Sequence, residues 1–401
     1  MKHAVMYGAG NIGRGFIGQL FHQSGYEIAF IDVNMAVIDR LNADRSYPVY
    51  VTAGDHYDRC DVTDVRGVNG RDAEAIAEAI AGADIMATAV GVNILKFIAA
   101  PIAGGVRLRC QRGCDKPLNI IVCENMIEAD RYLAGLIKAE LTEEEQAYFD
   151  RYVGLVEPSI GRMVPATPAE IAEKEPLAVC VEPYCELPVD RDAFKGEIPE
   201  IVNLVPFSPF DFFIRRKLFL HNMSHALTAY FGAYQGYTYI WEAAGDPAIR
   251  ALAGRALAES SRALSAEYGV APETLKAFSD DLLTRFENRL LGDTVERVGR
   301  DTKRKLAAGD RFAGTIALCE KQGVRPAATA AGLGAGLRFA PAGDELSREL
   351  FEDAAANGPA HTLALYSGLP EDSEASRIAC RVYAAMAERK PLSEIAGMLG
   401  L

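Results

Sequence analysis

Four polar side chains share one side of a segment that the sequence predicts to be helical. Residues 215–230 contain neither Gly nor Pro, which favours a helix. The helical period separates an apolar face from a polar face that carries Lys217, His221, Asn222 and His225. The segment has no carboxylate. A buried lysine without an acidic partner has a lowered pKa and can act as a general base, and the amide and imidazole groups can bind a reacting oxygen.

A glycine-rich turn near the N-terminus is typical of dinucleotide binding. The run GAGNIG forms G-x-G-x-x-G between a predicted strand and a predicted helix. The second predicted strand ends in Asp32, whose carboxylate can accept hydrogen bonds from a ribose and would repel a 2′-phosphate. The sequence therefore predicts NAD rather than NADP as the cofactor; the alternative is a glycine-rich turn in an α/β fold without a ligand. The predicted contacts are Gly8, Ala9, Gly10, Asn11, Ile12, Gly13 and Asp32.

Two further strand ends are expected beside this cofactor, because ligands of parallel sheets bind at the carboxyl ends of the strands. The segment TAVG at 88–91 has small residues that leave room for a cofactor, and we expect contacts from Thr88, Val90 and Gly91. The next strand is followed by Asn125, whose amide is expected near the nicotinamide. Opposite such a cofactor, the polar helix face suits the oxidation of an alcohol, which needs a base and donors for the developing alkoxide.

The order of the elements predicts the fold class. The first half alternates strands and helices, which predicts a Rossmann-type doubly wound parallel sheet. From about residue 206 the pattern becomes helical, with predicted helices at 209–232, 236–268, 272–291 and 302–322. We therefore expect an NAD-binding α/β domain at 1–200, followed by an all-α domain at 201–401. The run AATAAGLGAG at 327–336 is predicted to be a closely packed helix rather than a linker.

Composition limits the class of protein. With 401 residues, 49% hydrophobic and 24% charged, the chain is expected to fold into two or three domains. A net charge of −13 argues against nucleic acid as a partner. The sequence has neither a signal peptide nor a long apolar run, which favours a cytoplasmic protein without a membrane partner. Eight scattered cysteines do not match zinc-site spacing, so we expect free thiols and no metal.

Several longer motifs resemble those of the polyol-specific long-chain dehydrogenases, which need no metal. They are GAGNIGRGFIG at 8–18, TAVG at 88–91, PLNIIVCENM at 117–126, RKLF at 216–219, and the run RFEN to AGDR at 285–311. The chain is most similar to the members that act on phosphorylated polyols of the mannitol 1-phosphate type. The resemblance implies Lys217 as general base, Asn125 and Asn222 as the pair that binds the oxyanion, and His225 as the substrate anchor.

The substrate is predicted to be a small anionic polyol or ketose. The basic cluster at 297–305 could be a solvated helix end, but the resemblance implies an anion pocket formed by Arg297, Arg300 and Lys305, with His221 as a further contact. Two residues depart from the family pattern: His221, and the Gly161 that precedes Arg162. Both departures bear on which substrate is bound and not on the class of reaction. A hexuronate reductase, a dehydrogenase of unphosphorylated mannitol and a non-catalytic NAD sensor stay open as alternatives. The sequence is compatible with a monomer or a small homo-oligomer.

Overall fold

The computed structural model describes residues 2–400 and divides the chain into two compact units, Met1–Asp211 and Phe212–Leu401. The sequence pattern places the division after residue 200. The structural division lies later because the strand Leu204–Phe207 pairs in parallel with the strand Leu187–Asp190, which keeps it in the first unit.

The first unit is built on parallel strands. In chain order its strands are β1 (Lys2–Tyr7), β2 (Tyr26–Asp32), β3 (Ser46–Ala53), β4 (His56–Thr63), β5 (Val65–Asn69), β6 (Ile85–Thr88), β7 (Leu118–Val122), β8 (Val153–Val156), β9 (Val179–Val181), β10 (Leu187–Asp190) and β11 (Leu204–Phe207). Within residues 2–400, six of these form one parallel sheet in the order β5-β2-β1-β6-β7-β8. This is the doubly wound order of a Rossmann fold, so the predicted fold class is confirmed.

Helices lie between these strands: α1 (Gln19–Gln23), α2 (Met35–Asp44), α3 (Ala73–Ala81), α4 (Leu95–Gln111), α5 (Ala129–Ala139), α6 (Glu143–Tyr152) and α7 (Ala169–Lys174). The sheet is buried on both faces because successive residues of a strand point to opposite sides. In β1, Ala4 and Met6 join one apolar cluster, whereas Val5 and Tyr7 join the other. The strands can therefore be mostly apolar, and in β7 all five residues are buried and four of them are apolar.

A second, smaller sheet has the order β4-β3-β9, and β10 pairs with β11. The sequence YPVYVTAG at 47–54 is strand-like and lies mostly in β3, whereas no sequence pattern predicts β4 or β5. Strand β4 exposes most of its residues and carries His, Asp and Arg side chains, so it lacks the apolar run of a buried strand. Strand β5 is short and contains Gly67, which is unfavourable in a strand.

The second unit is helical, as predicted. Its helices are α8 (Asp211–Arg216), α9 (Met223–Gln235), α10 (Ile240–Gly245), α11 (Pro247–Tyr268), α12 (Pro272–Phe286), α13 (Val295–Gly299), α14 (Thr302–Lys305), α15 (Ala313–Lys321), α16 (Ala327–Gly336), α17 (Glu345–Asn357), α18 (Pro359–Thr362), α19 (Glu374–Ala387) and α20 (Leu392–Gly397). Helix α16 is buried along its whole length, which confirms the prediction of a closely packed helix.

Two predicted helices are each divided in the structure. The span 236–268 contains α10 and α11, which are separated at Asp246. The span 302–322 contains α14 and α15, which are joined by an irregular segment. Gly309 in that segment has φ +77°, a left-handed conformation that ends a helix. In the described range 2–400, no helix is both long and apolar enough to cross a membrane.

Candidate functional site

The glycine turn after β1 has the backbone geometry of a phosphate-binding turn. Gly8 has φ +104°, and a side chain there would collide with the carbonyl oxygen of Ala89 in the turn after β6. A side chain at Gly13 would collide with the carbonyl oxygen of Gly8. Gly10 is exposed, and a Cβ atom there would have no neighbour within 4 Å. The turn is thus packed on its inner side and open at Gly10, where a phosphate group can approach the backbone.

Asp32 joins this turn to the end of β2. Its Oδ2 accepts a hydrogen bond of 2.8 Å from the backbone N–H of Ala9, and its Oδ1 accepts one of 2.9 Å from that of Asn34. The carboxylate is partly exposed, and each oxygen keeps a lone pair for a ribose hydroxyl. Of the remaining predicted contacts in this turn, Asn11 is exposed and Ile12 is partly buried.

A buried arginine supports the segment that follows the glycine turn. This segment begins with a π-helical turn, Gly13–Gly18. Arg162 is 5% exposed and donates hydrogen bonds to the carbonyl oxygen of Gly15 at 3.1 Å and to Oε1 of Gln19 at 2.6 Å. Arg162 therefore stabilises the first unit, and the neighbouring Gly161 lies beside the ring of Tyr184.

The turn after β6 is held by a glutamate that the sequence analysis does not assign. Oε1 of Glu124 accepts a hydrogen bond of 2.9 Å from the N–H of Val90, and Oε2 accepts one of 2.8 Å from the N–H of Gly91. The backbone N–H groups of Val90 and Gly91, two of the predicted cofactor contacts, thus donate to this carboxylate. Thr88 is fully buried, and Asn125 is exposed. The position of Glu124 directly after an apolar strand is the signal that could have identified it.

In the second unit, the predicted polar helix contains a wide turn. Residues Lys217–Asn222 form a π-helical segment between α8 and α9, where hydrogen bonds link residues five apart instead of four. Lys217 and Asn222 have this spacing. The predicted apolar face is confirmed, because its members are at most 5% exposed: Phe219, Leu220, Met223, Leu227 and Tyr230. The polar residues are thereby fixed to the opposite side, since the apolar face cannot leave the core.

The amine of Lys217 has an unusual protonation equilibrium. Burial, followed by the nearby positive charge of Arg311, lowers the pKa of Lys217 to about 8. Arg311 is 8% exposed, its Nε donates to Oδ1 of Asp310 at 2.9 Å, and its Nη1 donates to the carbonyl oxygen of Asn222 at 3.5 Å. Arg311 ends the family-like run at 285–311, but its place in the sequence does not predict this contact with the polar helix.

Both histidines of the helix are neutral. The ring centroids of His221 and His225 are 5.8 Å apart. Burial is the main cause that lowers the pKa of His221 well below its usual range and that of His225 to about 3. The positive charges of Arg285 and Arg311 act on both histidines in the same direction. A neutral imidazole offers one donor and one acceptor nitrogen, so these rings can bind a hydroxyl group.

Asp293 supplies a carboxylate that the sequence of the helix lacks. Its Oδ2 lies 3.5 Å from Nε2 of His225, and its Oδ1 accepts a hydrogen bond from Nη2 of Arg297. The Arg297 side chain is 56% exposed, whereas that of Asp293 is 12% exposed. Arg297 thus lies beside the polar helix face and keeps donors free for solvent or a ligand.

The two other predicted anion contacts differ from each other. Lys305 is 6% exposed, and its Nζ donates to the carbonyl oxygen of Val298 at 2.5 Å. Burial, with Arg311 as the next cause, lowers the pKa of Lys305 to about 7. Arg300 is exposed. The structure therefore brings Lys217, His221, His225, Arg297 and Lys305 into one electrostatically coupled group, with Arg300 at its margin.

These features define a class of protein. The first unit has the fold, the open glycine turn and the strand-end carboxylate that a dinucleotide needs. The second unit presents an amine with a lowered pKa beside amide and imidazole groups. In residues 2–400, no three or more His, Cys, Asp or Glu side chains form a group that could hold a metal ion. The combination is that of a Rossmann-type oxidoreductase.

Comparison with known proteins gives the family. Residues 2–203 match the family model of the mannitol dehydrogenase Rossmann domain, and residues 210–379 match that of the mannitol dehydrogenase C-terminal domain. The chain therefore belongs to the mannitol dehydrogenase family, whose members are NAD-dependent polyol oxidoreductases. The resemblance of the sequence motifs to this family is therefore confirmed, whereas the substrate within the family is not identified by these matches.

Two solved structures share the fold. A D-sorbitol dehydrogenase in substrate-free form superposes with a TM-score of 0.79 at 14% identity, covering 99% of this chain and 94% of that chain. Mannitol 2-dehydrogenase of Pseudomonas fluorescens, in a ternary complex with NAD and D-mannitol, superposes with a TM-score of 0.73 at 15% identity and the same coverage. At these identities the similarity concerns the fold and does not identify a substrate.

Proposed function

We propose that this protein is an NAD-dependent, metal-independent dehydrogenase that interconverts a phosphorylated sugar alcohol of the mannitol 1-phosphate type and the corresponding ketose, of the fructose 6-phosphate type. The observation that carries the proposal is Lys217, an amine whose pKa is lowered to about 8 beside two neutral histidines. A base with a pKa near the operating pH is efficient in proton transfer. The proposal places the chain within the phosphate-specific part of its family.

The residues of the first unit would hold the dinucleotide. Gly10 leaves room for the pyrophosphate, and Asp32 can accept hydrogen bonds from the adenosine ribose. The carboxylate of Asp32 would repel the extra phosphate of NADP, which favours NAD. A bound NAD would supply the acceptor for the hydride of the carbinol carbon, and a bound NADH would supply the hydride donor for the ketose carbonyl.

The residues of the polar helix act on the substrate oxygen. During polyol oxidation, Nζ of Lys217 takes the hydroxyl proton as the carbinol becomes a carbonyl; during ketose reduction it returns that proton. The amide of Asn222 donates a hydrogen bond that stabilises the developing alkoxide, and His225 orients the hydroxyl group. Asn125 is kept as a second amide donor on the strength of the sequence resemblance.

The cationic residues select an anionic group. Arg297 is exposed beside His225 and can bind a phosphate through two parallel N–H donors. Arg300 adds positive charge at the margin, and Lys305 acts from a buried position through its charge. His221 completes the proposed substrate contacts.

A second candidate is a dehydrogenase of a neutral polyol. Arg297 is already paired with Asp293, so the positive charge available to a phosphate is reduced. A hexuronate reductase is intermediate between these cases, because its substrate carboxylate would use the same cationic residues. The three candidates differ in the charge of the substrate and not in the reaction.

The test is NADH oxidation by the purified enzyme with fructose 6-phosphate, fructose, fructuronate and tagaturonate, repeated with NADPH. We expect kcat/KM to be highest for NADH with fructose 6-phosphate, by about 100-fold or more over fructose, since charge-assisted hydrogen bonds from a guanidinium to a phosphate contribute about 1.5–3 kcal/mol. A higher kcat/KM with fructose would establish the neutral polyol instead. Cofactor binding without turnover on any of the four would contradict the enzymatic proposal.

A further inference from the structure

Asp293 lies between two proposed substrate contacts and has no role in the reaction described above. Its Oδ2 lies 3.5 Å from Nε2 of His225, a buried nitrogen that has no hydrogen-bond partner within residues 2–400, and its Oδ1 accepts a hydrogen bond from Arg297. The side chains of His225 and Asp293 are 14% and 12% exposed. A carboxylate with so little access to water interacts with its neighbours more strongly than an exposed one.

The backbone holds Asp293 in place from both sides. Its carbonyl oxygen accepts a hydrogen bond of 2.9 Å from the N–H of Ile240. The following residue, Thr294, pairs with Tyr239 in a β-bridge, and its hydroxyl caps α13 by accepting a hydrogen bond from the N–H of Arg297. The backbone at Asp293 is therefore held in place, so its carboxylate can orient the side chains of His225 and Arg297.

The ring of His225 is held on its other side. It stacks on Phe286 with 4.6 Å between the ring centroids and an angle of 11° between the planes. Stacking fixes the plane of the imidazole but does not determine which nitrogen carries the proton. In a neutral imidazole, the partner of one nitrogen decides this, and a carboxylate favours the N–H on the nitrogen that faces it.

We propose that Asp293 is a positioning residue that fixes the Nε2–H tautomer of His225 and the orientation of the Arg297 guanidinium. The inference rests on the proposed function, because it assigns His225 and Arg297 to the substrate. With the proton on Nε2, Nδ1 is the acceptor nitrogen, so a substrate hydroxyl bound to Nδ1 would donate to it. The substrate class that fits is a polyol with a hydroxyl donor at His225 and an anionic group at Arg297.

The tautomer can be observed by NMR of the ¹⁵N-histidine-labelled full-length enzyme at pH 7. The chain has six histidines, and a His225→Gln variant identifies the signals of His225 by their loss. We expect a protonated Nε2 and an unprotonated Nδ1 in the unmodified enzyme, and a mixture of tautomers in Asp293→Asn. Arg297→Gln should keep the original tautomer, as should the matched control Glu296→Gln, an exposed acid on α13.

Kinetics supply the second measurement. Asp293→Asn should lower kcat/KM by about tenfold or more, mainly through KM. In a background that already carries His225→Gln the loss should be smaller, because only the effect on Arg297 remains. Asp293→Glu keeps the carboxylate and should restore part of the loss. Thermal unfolding of each variant shows whether it folds.

The outcomes separate the two proposals. An Nδ1–H tautomer in the unmodified enzyme, or an unchanged His225 spectrum in Asp293→Asn, would overturn the inference. An Nε2–H tautomer in a protein that turns over none of the sugars would instead overturn the proposed function and leave the Asp293–His225 contact intact. Equal kinetic losses for Asp293→Asn with and without His225→Gln would show that Asp293 acts only through Arg297.

Discussion

Burial and the guanidinium of Arg311 together lower the pKa of Lys217 to about 8, against about 10.4 for a free lysine. Since the pKa is lowered, the amine is protonated below about pH 8 and free above it. About a tenth of the molecules carry the free base at pH 7, which is enough for a general base. The proposed chemistry at this residue therefore depends on Arg311 as well as on burial.

Replacing Lys217 tests its proposed role as the general base. In the unmodified enzyme, the rate of polyol oxidation should rise with pH through an ionisation near 8 and then level off, while ketose reduction should fall over the same range. Lys217→Met should lower kcat by about 100- to 10,000-fold in both directions and remove the ionisation, with little change in the Kd of NADH. The measurements are pH profiles of kcat and a fluorescence titration with NADH.

A control for this variant is Lys276→Met, which changes an exposed lysine of α12. It should keep the activity and the pH profile of the unmodified enzyme. If Lys217→Met retained most of its turnover with the same profile, the proton would go to another group, and the proposed base would be wrong.

Some residues of the proposed site could be predicted from the sequence, and others could not. The turn glycines, Asp32 and Lys217 could be identified because each lies in a local pattern of spacing and polarity. Asp293 and Arg311 could not, because they reach the polar helix from segments distant in the chain, and no periodicity links them to it. Glu124 is an intermediate case, since its place after β7 is visible but its bonds to the turn after β6 are not.

Among the elements, those with long apolar or uniform patterns were predictable. The buried strands β1, β2, β6 and β7 and the long helix α11 follow from their patterns. The wide turn at Lys217–Asn222 does not, because the order of polar and apolar residues in this segment also suits a regular α-helix. The break between α14 and α15 was missed because the basic residues at 303–305 and the alanines after them suit a helix in isolation.

Helix α16 depends on a buried carboxylate at its N-terminus. Glu259 of α11 is fully buried, and its oxygens accept hydrogen bonds of 3.0 Å from the N–H groups of Ala328 and Thr329 and from the hydroxyl of Thr329. Burial raises the pKa of Glu259, and these donors oppose the rise. The first N–H groups of a helix have no partner within it, so the carboxylate satisfies donors that would otherwise be buried and unpaired.

We expect Glu259→Gln to destabilise the protein by about 1–3 kcal/mol, because an amide offers one acceptor oxygen and leaves a buried donor unpaired. The midpoint of thermal unfolding should fall by several degrees. The control is Glu273→Gln, which changes an exposed acid in the first turn of α12. Its midpoint of thermal unfolding should equal that of the unmodified enzyme. Unchanged or increased stability of Glu259→Gln would mean that the cost of burying the charge exceeds the value of its hydrogen bonds.

For the whole molecule, two electric fields of opposite sign act on an anionic substrate. The protein carries a net charge of −13, which repels anions at a distance, whereas the group around Arg297, Lys305 and Arg311 attracts them at contact. Salt weakens the long-range repulsion at lower concentrations than it weakens the attraction at contact. Charges are screened beyond about 30 Å at 0.01 M, 10 Å at 0.1 M and 3 Å at 1 M ionic strength. Raising the salt to about 0.1 M should therefore remove the repulsion while the contact attraction persists.

The KM for fructose 6-phosphate, measured with saturating NADH, should thus pass through a minimum near 0.1 M salt and rise severalfold toward 1 M. The KM for fructose should stay nearly constant over the same range, because a neutral substrate responds to neither field. Arg297→Gln should raise the KM for fructose 6-phosphate and flatten its rise at high salt, while leaving fructose almost unaffected. A KM for fructose 6-phosphate that does not change with salt, or the same salt dependence in Arg297→Gln, would show that Arg297 does not bind the phosphate and that the neutral polyol is the better candidate.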